Sequence, residues 1–237
     1  MYQEKFVVDK SEVDINGEIK ISRLMLHAQD VAVEHARRLK IDRDVLMKDN
    51  NIWVVVRTDI KINRLPKLKE KYFLSTHHGE SKGFMFPRYF QVYDKHKNLL
   101  VSISSTWVIV NFDTRKIALH PLKDVVLPFE SCPDDLELPP KINDEASNVV
   151  LERLTKESEL DINLHINNTF YYDYVLDVHD DSFYKENRVT RLTLNYEKEI
   201  IHPNKIVIFS NKNNPEILVG KVNDNISFAS KVEYTKR

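Results

Sequence analysis

The chain has 237 residues, 42% of them hydrophobic, enough for two small domains or one large one around a real core. Its 35 Lys plus Arg stand against 36 Asp plus Glu, a net charge of -1 that gives no support to a general nucleic-acid binder or a polybasic membrane protein. A single cysteine, Cys132, excludes an internal disulfide, and the four glycines form no phosphate-cradling GxGxxG or GxxxxGK loop.

The start, "MYQEKFVVDKSEV", is charged and lacks the apolar centre of a signal peptide, and no run approaches the roughly 18 apolar residues that span a bilayer. A cytoplasmic protein, neither exported nor membrane-spanning, is expected. Segment 24–39 spaces Leu24, Ala28, Val31, Ala32, His35 and Leu39 as one helical face and ends in Arg37 and Arg38, where cations suit the dipole. Strand-like runs follow at 52–63, 70–80, 86–94 and 99–112, rich in β-branched and aromatic residues and separated by "RLPK", "ESKG" and "KHKN" turns.

Residues 121–147 hold five of the nine prolines and many acids, as a connector crossing the outside would. The helix-then-strands order then recurs. Residues 167–178 are helix-like, and 187–200, 205–213, 216–224 and 226–235 are strand-like. An apolar helix wrapped by a curved antiparallel sheet, present twice, predicts an α+β double hot dog. The expected division is 1–125, a linker over 126–147, and 148–237.

"DINLHINNTFYYDYV" (161–175) carries the chemistry. Read as extended backbone, alternate residues converge, so Asp161, Asn163 and His165 face one point while Ile162, Leu164 and Ile166 face the core. Asn167, Asn168 and Thr169 open the helix that follows, where free N–H groups favour developing negative charge. Base, amide donor and anion-stabilising helix start together suit acyl transfer without a Ser or Cys nucleophile. The plainer alternative is an Asx-rich turn capping a helix. A calcium loop is ruled out by Ile166 and Tyr172 where Gly and Glu are required, and no histidine pair has zinc-ligand spacing, so no metal is expected.

Three stretches resemble the acyl-acyl carrier protein (acyl-ACP) thioesterases of plants and bacteria, a family with a double hot-dog fold. They are "NNIWVVVRTDIKINRLPKLKEKYFLST", "SSTWVIVNFDTRKIALHP" and "DINLHINNTFYYDYVLD", in the family's order and across both halves. The resemblance implies hydrolysis of fatty acyl-ACP to free fatty acid, with Asp161, Asn163 and His165 at catalytic positions. "LTLNYEKEI" aligns Glu199 with the family's catalytic glutamate. Plant members commonly have Cys where this chain has Ile200, so a thiol nucleophile there is impossible. Either Glu199 or His165 activates water, or Glu199 itself attacks; that choice stays open.

The first half has no Asp-x-Asn-x-His copy before its helix, its corresponding region being taken as "IKISRLMLHAQD", so one active site per chain is expected. The resemblance puts the acyl chain largely in the first half. Substrate contacts are therefore expected at Trp53, Val55 and Arg57, at Asn168 and Thr169, and around 24–32 and 84–90. No cofactor is implied. The implied partner is acyl carrier protein, whose acidic surface would meet Arg37, Arg38, Lys40 and Arg43 or Lys67, Lys69 and Lys71; a homodimer stays open. Rival readings are an acyl-CoA thioesterase and a non-catalytic acyl-binding module.

Overall fold

In the computed structural model, which describes residues 1–118, 122, 125–142, 145–162 and 164–237, the periodic segment becomes α1 (Ile21–Arg38). Leu24, Ala28, Val31 and Ala32 form its buried face. The helix stops at Lys40, whose left-handed backbone (φ 58°) turns the chain, with the Ile41 amide donating to the Ala36 carbonyl at 3.0 Å. A single turn, α2 (Arg43–Leu46), follows, capped by the Asp42 carboxylate.

The strands of the first half are β1 (Tyr2–Val7), β2 (Asn51–Ile62), β3 (Lys71–His78), β4 (Phe86–Asp94) and β5 (Leu99–Asn111). Those of the second are β6 (Asn148–Leu154), β7 (Asn187–Tyr196), β8 (Lys205–Ser210), β9 (Ile217–Val222) and β10 (Asn225–Lys236), with helices α3 (Phe170–Leu176) and α4 (Asp181–Glu186). They join in one antiparallel sheet ordered β1-β3-β4-β5-β2-β7-β10-β9-β8-β6. That order is two copies of one unit, set back to back at the β2–β7 pairing, with α1 and α3 packed together inside the curve. This is the double hot dog the sequence predicts.

Two sets of side chains hold the seam. Asp59 on β2, fully buried, accepts from Arg191 Nε and Nη2 on β7, both at 2.9 Å, and from Thr193 Oγ1 at 2.6 Å. A buried charge with every oxygen engaged is stable only while its partner remains. Thr58 of β2 shares a 2.7 Å hydrogen bond with the Tyr172 hydroxyl of α3.

The first half also encloses a polar cluster. Arg88 of β4, 4% exposed, donates to His78 Nε2 at 2.6 Å, to His35 Nδ1 at 3.2 Å and to Thr76 Oγ1 at 3.2 Å. Burial lowers its pKa to about 9, so it stays charged at neutral pH. Burial first, and the Arg88 charge second, push His35 down to about 4 and His78 to about 2, which makes both neutral acceptors.

The edge strands β1 and β6 were not among the strands expected. Neither has a fully buried residue, β1 alternating half-buried with exposed positions and β6 being mostly exposed, so "YQEKFV" and "NVVLERL" lack the buried face of the central strands. The helix expected over 167–178 begins only at Phe170, and the strand expected to reach 200 ends at Tyr196.

Candidate active site

The 161–165 segment is a closed turn, not an extended strand. The Asp161 amide donates to the His165 carbonyl at 2.8 Å, the Leu164 amide to the Asp161 carbonyl at 3.1 Å, and the His165 amide to Asp161 Oδ1 at 3.3 Å. Leu164 takes a left-handed conformation (φ 62°). Ile162 and Leu164 are therefore exposed, at 82% and 69%, and of the three residues expected in the core only Ile166 is buried. A carboxylate accepting from the loop's own backbone is the Asx-turn chemistry of Asp, so Asp161 shapes the loop that carries His165. Asn163 lies outside the described residues.

Backbone pairing brings His165 to Glu199, 34 positions further along the sequence. His165 bridges Ile201, and the Ile166 amide donates to the Ile200 carbonyl at 2.9 Å. Ile200, 1% exposed, anchors that segment in the core, and its amide donates to the Tyr171 hydroxyl at 3.1 Å. Ile200 is thus turned into the core, while Glu199 stands at the surface of a cavity.

His165 Nε2 lies 3.6 Å from Glu199 Oε2, too long for a direct hydrogen bond and suited to tightening or to bridging by water. Arg115, on the turn after β5 and therefore from the first half, places its guanidinium 3.2 Å from the same Oε2. The cavity holds about 260 Å³ and is lined by Gln29, Trp53, Val55, Trp107, Arg115, Asp161, His165, Asn168, Tyr171, Tyr196 and Glu199 among the described residues. Burial pushes the Tyr171 and Tyr196 hydroxyls well up, so both stay neutral.

Of the substrate contacts expected from sequence, Trp53, Val55 and Asn168 line this cavity, and Arg57 and Thr169 do not. Thr169 is buried, its amide and hydroxyl both donating to Asn167 Oδ1, at 3.0 and 2.9 Å. The Phe170 and Tyr171 amides donate to the Asn167 and Asn168 carbonyls. The helix start expected to hold an oxyanion therefore spends three amides on local acceptors; the Asn168 amide has none among the described residues. No group of three or more His, Cys, Asp or Glu side chains fit to hold a metal ion occurs among the described residues.

Arg115 was missed as a site residue, whereas Gln29 falls in the stretch 24–32 expected to contact substrate. Gln29, on α1, carries a buried Oε1 without a hydrogen-bond partner among the described residues, an arrangement that a bound polar ligand would satisfy. Of the cations expected to meet an acidic partner surface, Arg37 and Arg38 both hold Glu34.

The first half does carry a copy of the loop, at "VDINGEIK" (13–20) against "LDINLHIN" (160–167), beginning six residues before the region taken as its counterpart. Asp14 amide to Glu18 carbonyl (2.8 Å), Gly17 amide to Asp14 carbonyl (3.1 Å) and Glu18 amide to Asp14 Oδ1 (3.0 Å) repeat the three bonds of the second loop. Gly17 (φ 71°) matches Leu164, Glu18 matches His165, and the Ile19 amide bonds the Pro66 carbonyl as Ile166 bonds Ile200. In that register Leu65 stands where Glu199 does. A larger cavity of about 720 Å³ adjoins this copy, and there Arg237, just after β10, holds Glu18 at 2.8 Å.

Residues 1–127 match the acyl-ACP thioesterase N-terminal domain and residues 143–235 its C-terminal domain. A chloroplastic dodecanoyl-[acyl-carrier-protein] hydrolase of Cinnamomum camphora is 26% identical over 218 residues, 84% of this chain and 56% of that protein. Oleoyl-acyl carrier protein thioesterase 2 of Arabidopsis thaliana is 25% identical over 243 residues, 93% and 65%. The chain thus spans little more than half to about two thirds of the length of these curated relatives. An acyl-ACP thioesterase structure from Bacteroides thetaiotaomicron superposes with a TM-score of 0.89 at 27% identity, covering 98% of this chain and 97% of that one. The 12:0-ACP thioesterase of Umbellularia californica shares the fold, with a TM-score of 0.82 at 21% identity and coverage of 100% and 97%.

Proposed function

The chain belongs to the acyl-ACP thioesterase family, and from that premise we propose that it hydrolyses the thioester of fatty acyl-ACP, releasing free fatty acid in the cytoplasm. The observation that carries this reading is the His165–Glu199 pair at 3.6 Å, facing a cavity whose other wall comes from the first half.

In this mechanism a water bridges His165 and Glu199. The pair takes its proton as the water oxygen bonds to the thioester carbonyl carbon. The resulting oxyanion is held by N–H donors at the loop, the Asn168 amide among them. Collapse breaks the C–S bond, the sulfur leaves with the proton the pair had taken, and the acid product ionises. Asp161 acts through the loop backbone, fixing where His165 points. Asn163 is assigned to substrate or water, with Trp53, Val55 and Asn168 along the acyl thioester. Residues 1–125 supply the acyl-chain side, 126–147 the linker and 148–237 the reacting groups. One site per chain results, whether the chain acts alone or as a homodimer.

The test is hydrolysis of medium- and long-chain acyl-ACPs and the matched acyl-CoAs by the purified chain and by His165→Ala. Turnover favouring acyl-ACP and lost in the variant is expected. Preference for acyl-CoA would move the substrate to coenzyme A thioesters. A folded, inactive wild type would contradict the proposal in favour of a binding module.

A further inference from the structure

We infer that Arg115 is a positioning residue of the reaction, contributed by the opposite half, which fixes the Glu199 carboxylate for its work with His165. This rests on the thioesterase reading above. The first observation is the shared atom. Arg115 Nη2 and His165 Nε2 approach the same Glu199 oxygen, Oε2, at 3.2 and 3.6 Å, so the guanidinium sets where that oxygen sits relative to the imidazole. Glu199 is 44% exposed, and an exposed glutamate on a short segment samples many rotamers unless something holds it.

The second observation is the backbone beneath Arg115. It adopts a left-handed conformation, φ 56°, which a non-glycine residue takes at a cost. The turn is built to keep it there. Asn111 Oδ1 accepts from the Thr114 amide and hydroxyl, both at 3.0 Å, the Arg115 amide donates to the Asn111 carbonyl at 2.9 Å, and Asn50 Nδ2 donates to Asp113 Oδ2 at 2.7 Å. The guanidinium lies over the Phe112 ring at 5.2 Å. Asn or Gly would fit this backbone without strain, so a feature of the arginine side chain is what the turn retains.

The third observation is the duplicate. Arg237 follows β10 as Arg115 follows β5, and each crosses to a carboxylate at the loop of the other half, Glu18 within the first turn and Glu199 on the segment paired with the second. In the first copy, Arg237 and Glu18 close on one another at 2.8 Å, Glu18 itself standing where the second copy has His165. In the second, the arginine's carboxylate also faces an imidazole.

The test compares Arg115→Asn and Arg115→Lys with wild type on two substrates, an acyl-ACP and the same acyl group on N-acetylcysteamine, which has no protein to dock. Asn tolerates the left-handed backbone, so the variant keeps its fold. Positioning predicts that Arg115→Asn loses kcat by on the order of 10²-fold on both substrates, with KM within about two-fold, and that Lys recovers part of the loss. Its thermal midpoint should equal or exceed that of wild type. Unchanged kcat on the small thioester, or a loss confined to KM for acyl-ACP, would overturn the role while leaving the thioesterase reading intact. An inactive wild type would remove both.

Discussion

The two loop copies share one backbone and differ in what faces it, an imidazole opposite a carboxylate in the second and no such pair in the first. Both close the same Asx turn, both precede a helix, and both lie under an arginine reaching over from the other half. At the two positions that face each other beside the turn they differ in chemistry, His165 against Glu18 and Glu199 against Leu65. The larger cavity, about 720 Å³, adjoins the copy without the pair, and three of its acids are held by cations, Glu159 and Asp177 by Arg153 and Glu18 by Arg237. Cavity size is therefore the wrong guide here. What distinguishes the smaller site is an imidazole nitrogen and a carboxylate oxygen facing each other at 3.6 Å.

The most severe way to break the comparison is to remove the imidazole from one copy and its counterpart from the other. His165→Ala should lower kcat on acyl-ACP by about 10³-fold, whereas Glu18→Ala should leave it within about two-fold, measured by fatty acid release. Equal losses would mean that both copies take part. At the seam, Arg191→Ala leaves the fully buried Asp59 carboxylate without its cation and should cost roughly 3–5 kcal/mol in urea denaturation. Because the ion pair joins β2 to β7, both halves should unfold in the same transition.

A third difference between the halves is the Arg88 cluster. Folded His35 has its pKa lowered to about 4, so in the unfolded chain it takes up a proton that the folded chain refuses. The unfolded state then binds more protons, and acid favours unfolding. This contribution is complete above about pH 6.5 and is lost as the pH falls towards 4, about 3 kcal/mol from His35 alone at ~1.4 kcal/mol per unit. Denaturation midpoints at pH 7 and pH 4.5, repeated in His35→Phe, measure it; a variant with the same acid sensitivity as wild type would contradict the assignment. The smallest effect is expected at Leu164→Gly, which places in the second loop the residue that the first has at Gly17. It should relieve a left-handed leucine and stabilise the fold by about 0.5 kcal/mol, once glycine's extra unfolded freedom is subtracted.

Much of this was legible in the sequence where a pattern is local. The apolar face of α1, eight of the ten strands and the Asp-x-Asn-x-His signature each lie within one stretch of chain. Ile162 and Leu164 were misread because period-two alternation presumes extended backbone, and the Asp161 turn cancels it. Arg115 carries no local mark, since its contact with Glu199 exists only once β5 and the segment after β7 are neighbours in space. The "VDINGEIK" copy was readable as an internal repeat, but Glu18 in place of His165 hid it from a search for the full motif.

The claim at the centre is that chemistry happens at the pair and nowhere else on the chain. Glu199→Gln keeps the shape and removes the charge, so the most direct measurement is its kcat on acyl-ACP beside wild type, with folding checked by circular dichroism. A loss of at least about 10²-fold in a folded variant is the predicted result. Turnover equal to wild type would contradict it and send the search to the cavity beside Glu18.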